Sequence, residues 1–142
     1  QQSGAVASSS DQQAIPRFPV MGTYAGKTAF AQRVSSRPLP VTVLNGEKNV
    51  LAADERTPLL RLKLAKGDFD RETLNCYLAG KPMRVKWLDR AKGIFEIQSD
   101  HDLPAGRSKY TCTVQARNNH QQYYWYSHLW ILPHADGRWP KE

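Results

Sequence analysis

Four histidines, His101, His120, His128 and His134, are the first residues in this 142-residue sequence that could hold a metal or move a proton. A zinc site needs three or four ligands at suitable spacing. His128 and His134 combine best with Asp136, but Pro133 interrupts them, and neither His-x-x-x-His nor Cys-x-x-Cys occurs. These histidines read as loop or surface residues. The run Ser99-Asp100-His101-Asp102 sets two carboxylates two residues apart, which can converge on a cation or a proton. A loop between strands has the same composition, and calcium recruits more oxygens than this. A Gly-x-Ser-x-Gly nucleophile turn and a phosphate-cradling glycine loop are both missing. The chain is therefore expected to have no catalytic residues, no metal and no cofactor.

Cys76 and Cys112 are the two cysteines. Neither adjoins a histidine, which disfavours a thiol catalyst or sensor. They are either a disulfide or two buried thiols, and export of the chain would favour the disulfide.

Apolar and polar residues alternate with a two-residue period along most of the chain, the mark of half-buried strands. Leu60, Leu62 and Leu64 share one face, as do Leu74, Cys76 and Leu78, then Met83, Val85 and Trp87, then Phe95 and Ile97. Tyr110, Cys112, Val114 and Ala116 oppose Lys109, Thr111, Thr113, Gln115 and Arg117 in the clearest strand. Turn-forming residues separate these runs. Asn45-Gly46 predicts a hairpin between residues 41–43 and 49–52. Residues 15–37 read as irregular chain with a short strand near Tyr24, and no helix is expected anywhere.

With these elements placed, Cys76, Trp87 and the Tyr110-x-Cys112 element resemble the inter-sheet cysteines, core tryptophan and tyrosine corner of immunoglobulin domains. The order of strands, with LAGKPMRVKW, GIFEI and LPAGRSKYTCTVQA, is similar to bacterial immunoglobulin-like modules. The resemblance covers residues 58–132. It implies an all-β, immunoglobulin-like antiparallel β-sandwich with an N-terminal extension, a disulfide between Cys76 and Cys112, and Trp87 and Tyr110 in the core. The expected organisation is a disordered tail at 1–14, an extension with a hairpin at 15–57 packed on the sandwich, the sandwich at 58–133, and a tail or linker at 134–142. Trp139 could pack back on the domain.

Twenty Lys and Arg against thirteen Asp and Glu give a net charge of +7, favouring anionic partners. The excess is spread along the sequence. No apolar run is long enough for a membrane helix, and the opening QQSGAVASSSDQQ would suit a chain whose signal has been removed. An extracytoplasmic location, periplasmic or secreted, is expected.

The last strand carries large side chains on both faces. Tyr123, Trp125, Ser127, Leu129 and Ile131 alternate with Tyr124, Tyr126, His128, Trp130 and Leu132, so something must cover the second face. The leading expectation is a non-catalytic interaction module that docks onto or positions another envelope or secreted protein or enzyme. Its binding surface would be Tyr124, Tyr126, His128 and Trp130. Glycan binding by Tyr124, Tyr126 and Trp130 is the alternative, and nucleic-acid binding by basic and aromatic side chains ranks below it.

Overall fold

The computed structural model describes residues 4–8, 10–13, 15, 17–18, 21–22, 25–46 and 48–141. The expected strand at Tyr24 and residues 1–3, 9 and 14 of the expected tail lie outside the described residues. Among those described, the Ser10 N–H donates to the Ala7 carbonyl (3.0 Å) and no helix is long and apolar enough to cross a membrane.

The described residues form one helix, α1 (Lys27–Val34), and nine strands: β1 (Arg37–Pro38), β2 (Val41–Val43), β3 (Leu59–Leu64), β4 (Phe69–Leu78), β5 (Lys81–Met83), β6 (Lys86–Asp89), β7 (Ile94–Gln98), β8 (Gly106–Ala116) and β9 (Asn119–Leu132). One sheet has the order β1-β9-β8-β4-β5 and the other β2-β3-β7-β6. Neighbours are antiparallel except β1, which runs parallel to β9. The chain is an all-β sandwich.

Alternation builds the core. Leu60, Leu62 and Leu64 of β3, Phe95 and Ile97 of β7, and Leu74, Cys76 and Leu78 of β4 are buried, as are Tyr110, Cys112, Val114 and Ala116 of β8. Each set occupies every second residue, so one face of each sheet supplies the interior.

Cys76 and Cys112 form a disulfide, S–S 2.07 Å. The resemblance implied a bridge between sheets, but the two residues are direct partners on adjacent β4 and β8 of the same sheet. Trp87 packs against the core, as expected, but from its margin. It lies half-buried on β6, at an edge of the four-stranded sheet, tilted against Phe95 with the Arg90 guanidinium 5.2 Å from its ring centroid. Trp130, 3% exposed and edge-to-face with Tyr110, is the tryptophan of the interior. Tyr110 fulfils its expected place: its buried hydroxyl donates to the Pro58 carbonyl (2.8 Å) and accepts from the Ser99 N–H (3.0 Å). Burial pushes this phenol up to about 12.

The single strand expected through Met83, Val85 and Trp87 is two. Ala79-Gly80, both with positive φ, turn β4 tightly into β5, and the chain then crosses to the other sheet as β6. Alternation survives the crossing because Met83, Val85 and Trp87 all pack on the one core shared by both sheets.

The expected hairpin at Asn45-Gly46 does not form. β2 pairs with β3, and the Asn45 side chain extends that edge, donating to Leu59 O (2.6 Å) and accepting from Arg61 N (2.9 Å). Residues 49–51 return to the first sheet, where Val50 bridges Ile131 in parallel and Leu51 N donates to Ile131 O. The segment thus leaves the five-stranded sheet after β1, visits the four-stranded sheet as β2, and comes back. Leu39 and Leu51, each 5% exposed, plug the core at the two crossings. A long unpaired β9 edge would expose a row of backbone donors and acceptors, and this strap covers it at both ends.

The helix α1 also departs from expectation. Its sequence KTAFAQRV consists mostly of good helix formers, yet it buries no residue and carries no side-chain cap. Without a buried stripe there is no apolar periodicity to announce it. The C-terminal segment turns at residues 134–138, and Trp139 is 55% exposed instead of packed on the domain.

Candidate functional site

The expected binding surface faces inward. Tyr124, His128 and Trp130 are 9%, 3% and 3% exposed, and Tyr126 is half-buried against the core. Register explains this. Tyr126 stands opposite Cys112 and His128 opposite Tyr110, both on the inner face of β8. Tyr124 packs edge-to-face on Phe69, and His128 bridges the Tyr126 hydroxyl and the Lys48 carbonyl, each at 3.1 Å. These side chains hold the sandwich together and leave no platform for a ligand.

The other face of β9 builds a different site. Asn75, Thr113 and Trp125 form one row across β4, β8 and β9, and Tyr77, Thr111 and Ser127 form the next. Within it Thr111 and Ser127 share a hydroxyl hydrogen bond of 3.1 Å. The Trp125 indole donates to Ser127 Oγ (3.2 Å), and Gln115 donates to the Tyr123 hydroxyl (3.1 Å). These bonds hold the aromatic rings in a surface dense in hydroxyl and amide groups. Phe18 meets Trp125 edge-to-face at 5.2 Å, and Gln122 donates to the Ser35 carbonyl just past α1. Phe18 and α1 therefore lie on the outer face of the five-stranded sheet.

Between these parts runs a groove. A cleft of about 730 Å³ reaches from Leu103 and Arg107 to Tyr77 and Trp125, and a second hollow of about 280 Å³ continues from the same two rings to Gln32, Ser36 and Tyr123. Arg33 lines both. Arg33, Arg107, Lys109 and His101 border the groove, and no carboxylate is among its described lining residues.

The other sequence candidates do not converge. No group of three or more His, Cys, Asp or Glu among the described residues is arranged to hold a metal ion. His128 is buried and His134 exposed, on opposite sides of Pro133. Asp100 pairs with His101 at 2.6 Å in an exposed loop, and that hydrogen bond and charge hold its carboxyl below the usual range. Asp102 is exposed as well.

Trp125 and Tyr77 are the functional candidates that sequence reasoning missed. A signal existed for Trp125, since it lies on the second face of the aromatic strand. Tyr77 gave none, because its neighbours in the groove come from strands distant in sequence.

No protein-family model and no curated protein matches this sequence. Among solved structures, the chain is similar to the endo-beta-1,4-mannanase from Thermotoga petrophila. The identity is 11% over 69% of this chain and 20% of the mannanase, with a TM-score of 0.48, so the match spans about a fifth of that protein. It is also similar to CopC from Methylosinus trichosporium OB3b, at 14% identity over 67% of this chain and 96% of CopC, with a TM-score of 0.43. Likenesses this distant carry no functional weight.

Proposed function

We propose that the chain is an exported, non-catalytic immunoglobulin-like interaction module that docks onto or positions another protein or enzyme of the cell envelope, using the outer face of the five-stranded sheet. The observation that carries this reading is the groove, where aromatic rings, hydroxyls and cations meet and no described carboxylate intervenes.

Strand order supports the immunoglobulin-like identity. Read as A, B, C, C′, D, E, F and G, strands β2 to β9 give an ABED sheet facing a GFCC′ sheet, with β1 parallel to the last strand. The departures are the disulfide joining C to F and the tryptophan on D. Export is supported by the buried disulfide, which persists in oxidising compartments. A binding role is supported by a groove lining built of rings, hydroxyls and cations.

Site-specific photo-crosslinking in the intact cell envelope tests the reading. A photo-reactive residue at position 77 or 111 is expected to form adducts, and one at position 63 or 88 of the opposite sheet is not. Equal yields from both faces would remove the groove from the proposal.

A further inference from the structure

Asn45-Gly46 forms no hairpin, and it lies outside the groove. We propose that Asn45 is a site of spontaneous deamidation which the folded edge of the four-stranded sheet holds in check, and whose conversion loosens that edge.

The chemistry begins with the sequence. Of the five asparagines, Asn45 alone is followed by glycine. In the reaction the Gly46 backbone nitrogen, giving its proton to water, attacks Asn45 Cγ. The new C–N bond closes a cyclic imide, and the bond to the side-chain nitrogen breaks as ammonia leaves. Water then adds to either imide carbonyl and reopens the ring as aspartate or isoaspartate. Water is the sole co-reactant and nothing is oxidised or reduced. Glycine leaves the attacking nitrogen unobstructed, whereas Val50, Cys76, Asn119 and His120 follow the other asparagines. Asn45 and Gly46 are exposed, and a Cβ at Gly46 would meet nothing within 4 Å, so water reaches both reacting groups.

The fold supplies the restraint. The Asn45 amide donates to Leu59 O (2.6 Å) and its oxygen accepts from Arg61 N (2.9 Å). A carbonyl can only accept and a backbone N–H only donate, so the carboxamide has one orientation and is tied to β3 at both ends. Cγ must leave both bonds to meet the Gly46 nitrogen. Conversion therefore runs through a local opening, and the population of that opening sets the rate.

The product cannot return to the same place. Aspartate has no N–H for Leu59 O and sets a carboxylate against that carbonyl. Isoaspartate lengthens the main chain by a carbon and loses the geometry of both bonds. Only the Leu44 N–H to Arg61 O bond then separates this end of β2 from the solvent, so the strand frays and uncovers the backbone of Leu59 and Arg61, an open strand edge.

Peptide mapping by mass spectrometry tests this on the full chain, incubated at neutral pH either folded or in concentrated urea. In urea Asn45 is expected to convert ahead of the other four asparagines. In the folded protein it should convert about tenfold or more slowly, the effect of two hydrogen bonds that must open together. Asn45→Asp, on an exposed position that leaves the core intact, stands for the product. It should speed hydrogen exchange at the Leu44 and Arg61 amides about fivefold or more and leave β4 and β8 unchanged. Equal rates at Asn45 in the folded and unfolded chain overturn the restraint. Faster conversion of another asparagine in urea, or none at Asn45, overturns the site. Unchanged exchange in Asn45→Asp overturns the loosening. None of these outcomes bears on the groove, which the crosslinks test separately.

Discussion

The two sheets of this sandwich share one core and present opposite outer surfaces. On the four-stranded sheet, Glu96 accepts from Arg61 at 3.1 Å and pairs with Lys86 at 3.6 Å, so charges of both signs lie side by side across β3, β7 and β6. On the five-stranded sheet the equivalent positions hold Asn75, Tyr77, Thr111, Thr113, Trp125 and Ser127, bordered by arginine and lysine. The first surface satisfies itself and needs only water. The second gathers flat rings and hydroxyls into a groove whose described lining holds no carboxylate, although Asp70 lies farther along the same face.

The five-stranded sheet also carries the disulfide, directly beneath this surface. Closing a separation of 36 residues removes unfolded-state entropy equivalent to about 4 kcal/mol in the chain-entropy model. Replacing both cysteines by alanine should therefore lower stability by roughly that amount in urea unfolding. Hydrogen exchange should show β4 and β8 loosening before β3 and β7. Equal loosening in both sheets would erase the mechanical side of the contrast.

Tyr110 ties the sheets together, since its ring lies in the five-stranded sheet and its hydroxyl holds Pro58 and Ser99, which flank β3 and β7. Tyr110→Phe strands a buried N–H and carbonyl and should cost about 1–3 kcal/mol at neutral pH. The phenol also gives the fold an alkaline limit. Its folded value, about 12, exceeds the ordinary 10.0, so the native state holds the proton more firmly than the unfolded chain between those limits. Stability is unaffected by this group below pH 10 and falls as pH rises toward 12, by up to roughly 3 kcal/mol. Thermal melts against pH should show this decline in the parent and lose most of it in Tyr110→Phe.

Smaller changes probe the two rims. Ala79 adopts φ 50° at the groove's end, where glycine avoids a steric cost, so Ala79→Gly should stabilise by about 0.5–1 kcal/mol. Glu96→Gln on the opposite surface should cost no more than about 1 kcal/mol, because its partners Arg61 and Lys86 both keep contact with water, and should leave ligand binding untouched. A clear loss of binding in Glu96→Gln would mean that the surfaces are coupled.

Much of the fold was legible in the sequence because alternation responds to burial, and burial acts residue by residue. The inward sets of β3, β4, β7 and β8 could be read from side-chain type alone, as could the strand at Met83–Trp87 as a buried series. Its division between two sheets could not, since both sheets bury their residues in the same core. Helix α1 escaped for the converse reason: it buries nothing, so it leaves no periodic trace.

The candidate site was the least legible part. The basic residues are dispersed along the sequence, and only folding sets Arg33 near Arg107 and Lys109. The facing of β9 was undetermined for a sharper reason. Ala116 pairs with Asn119, and a regular continuation would set Cys112 opposite Tyr123, sending Tyr123 and Trp125 into the core. An irregularity between Gln115 and Ala116 shifts the register by three residues, so Gln115 meets Tyr123 and Cys112 meets Tyr126. An odd shift exchanges the two faces of a strand.

The sequence by itself determined that this chain forms alternating strands around an apolar interior, with a last strand too aromatic for an ordinary solvent face. Only the tertiary structure decided that Tyr124, His128 and Trp130 stabilise the core while Trp125 looks outward, because pairing across strands is a contact between residues that the alternation of either strand alone leaves free.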